Sequence, residues 1–168
     1  MSTATGPVAL VGSEKDADGR LVGLTFESTP PRQAPEVNAW LIAVDASDNA
    51  QRAVVFAAGQ TCEAKTCAFH LVHVQPWLAR EAAEAELSGR ALEATARARA
   101  VLEAANLPWR MHVAMGDPAE RILELAARLN VSGIVIGSRG LNAVEGLLFG
   151  SVAYKVVHLS RVPVVVVP

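Results

Sequence analysis

The chain is poor in several features that mark special classes of protein. It has 2 cysteines, Cys62 and Cys67, in 168 residues. That spacing is neither a CxxC redox pair nor a metal knuckle, so both are expected to be small, buried or half-buried apolar residues. Aromatic residues make up 5% of the chain. The tryptophans at 40, 77 and 109 are too dispersed to form a stacking platform for single-stranded nucleic acid. Neither sign of charge dominates: 15 Lys and Arg against 17 Asp and Glu give a formal charge of −2. Such a balance exerts no general pull toward nucleic acid or an anionic membrane. No apolar run reaches the roughly 18 residues of a membrane-spanning helix. Met1–Ala9 also lacks the basic start and apolar centre of a secretory leader. The expected setting is cytoplasmic, with neither nucleic acid nor a membrane as partner.

What the chain does have is a core and a pattern. Hydrophobic residues make up 51% of it, enough for one ordinary globular domain. Residues 1–37 differ from the rest. Val8–Val11 and Leu21–Leu24 flank a polar stretch containing Asp18-Gly19, which reads as a β-hairpin. "STPPRQAPE", Ser28–Glu36, holds three prolines and reads as an extended linker. The expected plan is an N-terminal arm, 1–37, followed by a main domain, 38–168.

The main domain alternates. Short apolar runs at Ala39–Asp45, Cys67–Val74, Trp109–Met115, Ser132–Gly137 and Pro163–Val167 read as five buried strands. Between them lie four helices. The first is capped by Ser47 or Asp48 and runs to about Cys62. The second spans Arg80–Asn106, with Leu87, Ala91, Ala94, Ala98, Val101 and Ala105 on one face. The third opens on "DPAE", Asp117–Glu120, where Asp caps, Pro takes the first turn and Glu follows at the third position. It is expected to bury Ile122, Leu125, Ala126 and Leu129. The fourth runs from Ser151 to Ser160. Strands and helices in this order make an α/β fold. Strands this apolar need helices on both faces. The expected architecture is therefore a doubly wound, open, parallel five-stranded sheet in the order 3-2-1-4-5, with the hairpin arm attached. In that order the winding reverses between strands 1 and 4, and ligands bind at the carboxyl ends of strands at such a switch point.

Strand 1 ends at Asp45 and strand 4 at Gly137, where "GSRGLNAVEGLLFGSV" begins. Gly137 and Gly140 are expected to adopt positive φ and to let the backbone approach a ligand with no Cβ in the way. Gly150-Ser151 opens a helix whose free N–H groups and partial positive charge suit phosphate. Ser138 and Ser151 add hydroxyls, and Arg139 is the only cation in the loop. On the loop alone, a helix-capping turn whose glycines merely allow the bend stays open as a reading. The loop is not GxxxxGK[ST], and no GxGxxG follows the first strand, where the chain reads "VDASDNA".

The spacing of Gly137, Gly140, Gly150 and Ser151 resembles the nucleotide-binding signature of the universal stress protein family. "LIAVDAS", "LVHV", "GDPAERI", "VSGIVIGSRG" and "VAYKVVHLSRVPVVVVP" resemble further stretches of that family. Together they cover roughly residues 38–168. The resemblance implies the 3-2-1-4-5 sheet and a bound adenine nucleotide. That nucleotide would be ATP, with or without Mg2+, or ADP, AMP or cyclic AMP. It implies that Asp45 meets ribose or the adenine edge, that Ala43 and Val44 form the pocket wall, and that the Val74 backbone meets adenine. Gly137, Ser138, Arg139 and Gly140 would line ribose and phosphates, and Gly150, Ser151 and Val152 would cradle the phosphate tail. The chain departs from the pattern at Ala153, where such proteins often carry a second hydroxyl. The resemblance also implies a homodimer formed through Pro163–Val167. The apolar "VPVVVVP" supports this, because a flat apolar edge strand invites pairing.

Other chemistry finds little support. His70, His73 and His112 lie on adjacent strands, but His70 and His73 point to opposite faces, and packed histidines are the expected reading rather than a metal site. No GxSxG elbow is present, and no His-Asp pair accompanies Ser138 or Ser151. No loop lysine, second carboxylate or base for a nucleophile is evident, as a kinase needs. No catalytic residue is therefore assigned. The expected function is a nucleotide-binding stress or signalling module with, at most, slow incidental ATP hydrolysis. The alternative is a dimeric interaction module of the same fold that binds no nucleotide.

Overall fold

The computed structural model describes residues 8–31, 38–60, 67–142, 144–146 and 148–168. Cys62, the linker beyond Pro31 and the expected boundary after Val37 lie outside them. The described strands are β1 (Ala9–Lys15), β2 (Leu21–Glu27), β3 (Ala39–Ala43), β4 (Ala68–Gln75), β5 (Trp109–Met115), β6 (Gly133–Gly137) and β7 (Val164–Val167). The helices are α1 (Asp48–Gln60), α2 (Arg80–Ala104), α3 (Pro118–Arg128) and α4 (Ser151–Leu159). All seven strands form one sheet in the order β1-β2-β5-β4-β3-β6-β7. The run from β5 to β7 is parallel throughout and reproduces the expected 3-2-1-4-5.

The sheet has two more strands than the five expected of the core. The hairpin docks antiparallel on β5, pairing Leu24 with Val113 and Phe26 with Met111. It sits at the edge far from β7 and away from the switch point. Its turn is fixed by Asp16, whose Oδ1 accepts the amides of Asp18 at 3.0 Å and Arg20 at 2.8 Å. Gly19 takes φ 73° there, as a turn of this kind requires. Leu21, Leu24 and Phe26 bury their side chains in the same cluster as Met111 and Trp109. At about 1.5–3 kcal/mol for each large apolar side chain removed from water, these three anchor the hairpin. β1 is the new rim, almost wholly exposed and broken by two register shifts.

Core side chains alternate between the two faces of the sheet, as strand geometry dictates. Ile42, Val54, Leu71 and Leu87 pack on the side of α1 and α2, and Leu41, Val72, Ile122 and Val156 on the side of α3 and α4. The helix starts follow sequence chemistry. Ser47 Oγ accepts the Ala50 amide at 3.2 Å, and Asp117 Oδ1 accepts that of Glu120 at 3.1 Å. α3 buries Ala119, Ile122, Leu125 and Ala126, while Leu129 is half-buried.

α2 differs from expectation. Its buried face runs through Ala83, Leu87, Ala91, Thr95, Ala98 and Leu102 and takes in Arg99, whereas Ala105 is exposed. The polar members are tolerated because they find partners. Thr95 donates to Ala91 O at 2.7 Å and Arg99 to Leu92 O at 3.0 Å, with the guanidinium 5.8 Å from the Trp109 ring centre. His70 and His73 face opposite ways as expected. His70 Nδ1 lies 2.9 Å from His112 Nε2, and His73 Nδ1 lies 2.9 Å from Val44 O. Cys67 is half-buried. Among the described residues, no helix is long and apolar enough to cross a membrane.

Candidate functional site

β3 and β6 are neighbours, and their carboxyl ends open into one crevice. At the β3 exit the Asp45 carboxylate is held on both sides. Oδ1 accepts the Ser47 amide at 2.9 Å, and Oδ2 accepts the Leu141 amide at 3.2 Å. Asp45 thus spans from the end of β3 to the glycine loop after β6. A Cβ on Gly140 would lie 2.8 Å from Asp45 Oδ2, so glycine is needed there for approach to the carboxylate.

The expected positive φ at Gly137 and Gly140 is not found. Among the described glycines only Gly19, Gly116 and Gly146 adopt it. Gly137 serves close packing instead: a Cβ there would meet the Asn49 carbonyl carbon at 2.7 Å and the Ala50 amide nitrogen at 2.9 Å. The missing side chain lets the strand end lie directly on the first turn of α1. The loop closes on itself through Gly150 N–H, which donates to Ser138 O at 2.8 Å. Gly150 is also the N-cap of α4, and no side chain caps that helix. Its first-turn amides are therefore left for water or a ligand.

The crevice is a cavity of about 560 Å³, within the range of small-molecule sites. Ten of the eleven expected residues line it: Ala43, Val44, Asp45, Val74, Gly137, Arg139, Gly140, Gly150, Ser151 and Val152. Ser138 is not among them. Its side chain is 5% exposed and turns toward α1, where Oγ accepts Asn49 Nδ2 at 2.9 Å. Just past the end of β6, Ser138 faces the same first turn of α1 on which Gly137 packs, so its hydroxyl is turned from the crevice.

The structure adds residues that sequence reasoning missed. Asp117, Pro118 and Ala119 at the start of α3 form one wall, and Lys155 on α4 forms another. Lys155 Nζ donates to Asp117 Oδ2 at 3.2 Å. The Glu120 amide that Asp117 caps, with Lys155 beside it, holds this carboxyl below its usual range. Two signals were available. Asp117 follows a strand exit, where every loop of this fold faces the crevice, and Lys155 lies four residues after Ser151, one turn along the same helix face.

His73 closes the floor. A carbonyl can only accept, so its Nδ1 carries the proton shared with Val44 O. Burial holds its pKa below the ordinary histidine value, against the opposing influences of the Val44 carbonyl and Asp45. By this bond His73 fixes the peptide that leads into Asp45. Among the described residues no group of three His, Cys, Asp or Glu side chains is placed to hold a metal ion. A second cavity, about 240 Å³, lies between the hairpin and α3. Its arginines are already engaged by carboxylates, Arg128 by Glu14 at 2.8 Å and Arg121 by Glu124 at 2.9 Å. The larger crevice is the better candidate.

Sheet order, switch point and glycine loop define a doubly wound α/β protein with an open crevice at the switch point. Residues 39–168 match the model of the universal stress protein family, and the chain belongs to that family. A universal stress protein of Thermus aquaticus, in the QAH/OAS sulfhydrylase 3' region, is 35% identical over 131 residues, 76% of this chain and 96% of that one. The stress response protein NhaX of Bacillus subtilis is 40% identical over 78 residues, 46% of this chain and 47% of that one. The chain thus matches about half the length of this relative. Among solved structures, the Archaeoglobus fulgidus universal stress protein in complex with dAMP superposes with a TM-score of 0.64 at 25% identity, covering 80% of this chain and 100% of that one.

Proposed function

We propose that the crevice binds an adenine nucleotide, with ATP as the physiological ligand, and that the chain acts as a binding module in a stress response rather than as an enzyme. The observation that carries this reading is Asp45, held against the Gly140–Leu141 backbone at the edge of an open cavity, with the uncapped first turn of α4 on the rim. A carboxylate accepts from vicinal ribose hydroxyls, and helix-start amides donate to phosphate. Val74, one residue beyond His73 on β4, lines the crevice, and its backbone would serve the base. The dAMP complex of the Archaeoglobus fulgidus relative supports the ligand class. A nucleotide supplies polyphosphate charge and an adenine edge; the chain supplies the amides, Asp45 and two cations, Arg139 and Lys155. Two copies would pair through β7, whose four valines are each half-exposed.

A second reading, an interaction module that takes no nucleotide, is favoured by the apolar residues beside the crevice. Leu141, Val144, Leu148 and Phe149 are all exposed, as a protein-binding surface would be. Isothermal titration of nucleotide-stripped protein with ATP, ADP, AMP and cyclic AMP separates the two. Saturable heat with at least one ligand is expected. Silence from all four at millimolar concentration leaves the second reading.

A further inference from the structure

We propose that Lys155 reads the length of the phosphate tail, leaving Asp117 to meet the outer phosphates of a nucleoside polyphosphate. This rests on the nucleotide reading above.

Four observations support it. First, Lys155 lies four residues after Ser151, on the same face of α4. Helical side chains lean toward the N-terminus, so its ammonium rises toward the first-turn amides where a phosphate would dock. Second, it lines the crevice together with Ser151 and Val152. Third, its present partner is easily exchanged. The Lys155 and Asp117 side chains are 52% and 36% exposed and meet at 3.2 Å, and pairs this wet are weakly held. When Lys155 leaves, Asp117 keeps its own task, since Oδ1 still takes the Glu120 amide. Fourth, Ala153 also lines the crevice, is buried and has no hydroxyl, so this turn of α4 offers a phosphate no second side-chain donor.

Charge makes the role specific. The ionised residues lining the crevice are Asp45 and Asp117 against Arg139 and Lys155, which sum to zero. A single phosphate can be held by helix-start amides. Each further phosphate brings negative charge toward Asp117, and it needs a cation at that wall. Lys155 is the cation already there; Arg139 belongs to the glycine loop, its Cα 3.5 Å from where a Gly150 Cβ would sit.

The test is titration of the full, nucleotide-stripped chain with ATP, ADP, AMP and adenosine. Lys155→Gln is expected to weaken ATP by about tenfold, the loss of one charge-assisted contact, while AMP and adenosine stay within about twofold. Lys155→Arg should retain the preference for the longer tail. Asp117→Asn keeps a good helix cap but frees Lys155 and removes a repelling charge, so ATP should tighten several-fold and AMP should not. The proposal is overturned if Lys155→Gln weakens all four ligands equally, or none of them, while the unaltered chain binds ATP. If the unaltered chain binds none of the four, the nucleotide reading itself falls, and this inference with it.

Discussion

Asp45 and Leu141 are 96 residues apart and joined by one hydrogen bond, the Leu141 amide donating to Asp45 Oδ2 at 3.2 Å. Through it the end of β3 holds the start of the exposed loop that leads to α4. A ligand hydroxyl that takes Asp45 Oδ2 competes directly with that amide. The bond is also the most direct way to test the crevice.

Asp45→Ala should weaken nucleotide binding by about 1–3 kcal/mol, roughly 5- to 150-fold, the range for losing a charged hydrogen bond. Titration calorimetry measures it. An unchanged Kd would remove Asp45 from the site.

Gly140→Val should weaken binding at least as much. Its Cβ would lie 2.8 Å from Asp45 Oδ2, and that carboxylate is pinned by two amides. The loop is exposed, so cooperative unfolding should persist. Calorimetry for binding and a thermal melt for folding separate the two effects. Parent-like binding by this variant would place the ligand elsewhere.

Gly133→Ala should destabilise the fold without touching the crevice. Three ring atoms of Trp40, the residue that pairs with Gly133 across β3 and β6, would come within 3.0 Å of the new methyl group. Overpacking of this kind costs about 1–3 kcal/mol. For a chain of this size that lowers Tm by roughly 2–12 °C. A melt that overlays the parent's would show that Trp40 can move aside freely.

His73 makes stability depend on pH in a defined direction. Its folded-state pKa lies below the unfolded value of 6.5. Above that value the ring is neutral in both states and adds no dependence. As pH falls below it, the unfolded chain takes up the proton first, and stability drops by at most about 1.4 kcal/mol per pH unit until the folded-state pKa is passed. His73→Gln should lose this component. The Tm difference between variant and parent should therefore change between pH 7 and pH 5; a constant difference would contradict the assignment.

Val166→Pro should prevent pairing at β7. Pro163 O and Val167 O accept from the amides of Ile134 in β6 and of Ser138 just after it. By alternation the Val166 amide points away from β6, so proline there removes no ladder bond. Light scattering should find the parent chain as a dimer and this variant as a monomer. Two equal masses would place the contact on another surface.

Much of this was legible in the sequence. The five parallel strands follow from apolar runs too short for helices, and "DPAE" marks the start of α3 without ambiguity. The Asp18-Gly19 turn gave the hairpin but not its berth. Docking on β5 depends on how Leu21, Leu24 and Phe26 fit beside Met111 and Trp109, a match between segments some 85 residues apart that no local pattern encodes. Gly137 and Gly140 make close approaches, to α1 and to Asp45, without the expected positive φ, because a missing Cβ serves both purposes and composition cannot tell them apart. Ser138 suits the site by residue type, whereas its hydroxyl is taken by Asn49 of α1, a contact between residues 89 apart. Asp117 and Lys155 went unnoticed because each has an adequate local reading, a cap and a surface cation. Only the fold brings them to the same wall.

The hairpin has a final consequence for assembly. A sheet with two receptive rims can add subunits without end and grow into a fibre. Here one flank finishes in an irregular ribbon carrying Glu14 and Lys15, which offers a newcomer no regular row of partners. Any union of two copies along the other flank uses up the last regular margin in both. A sheet joined in that way would stop growing at two, with the arm ahead of the family domain as its terminus.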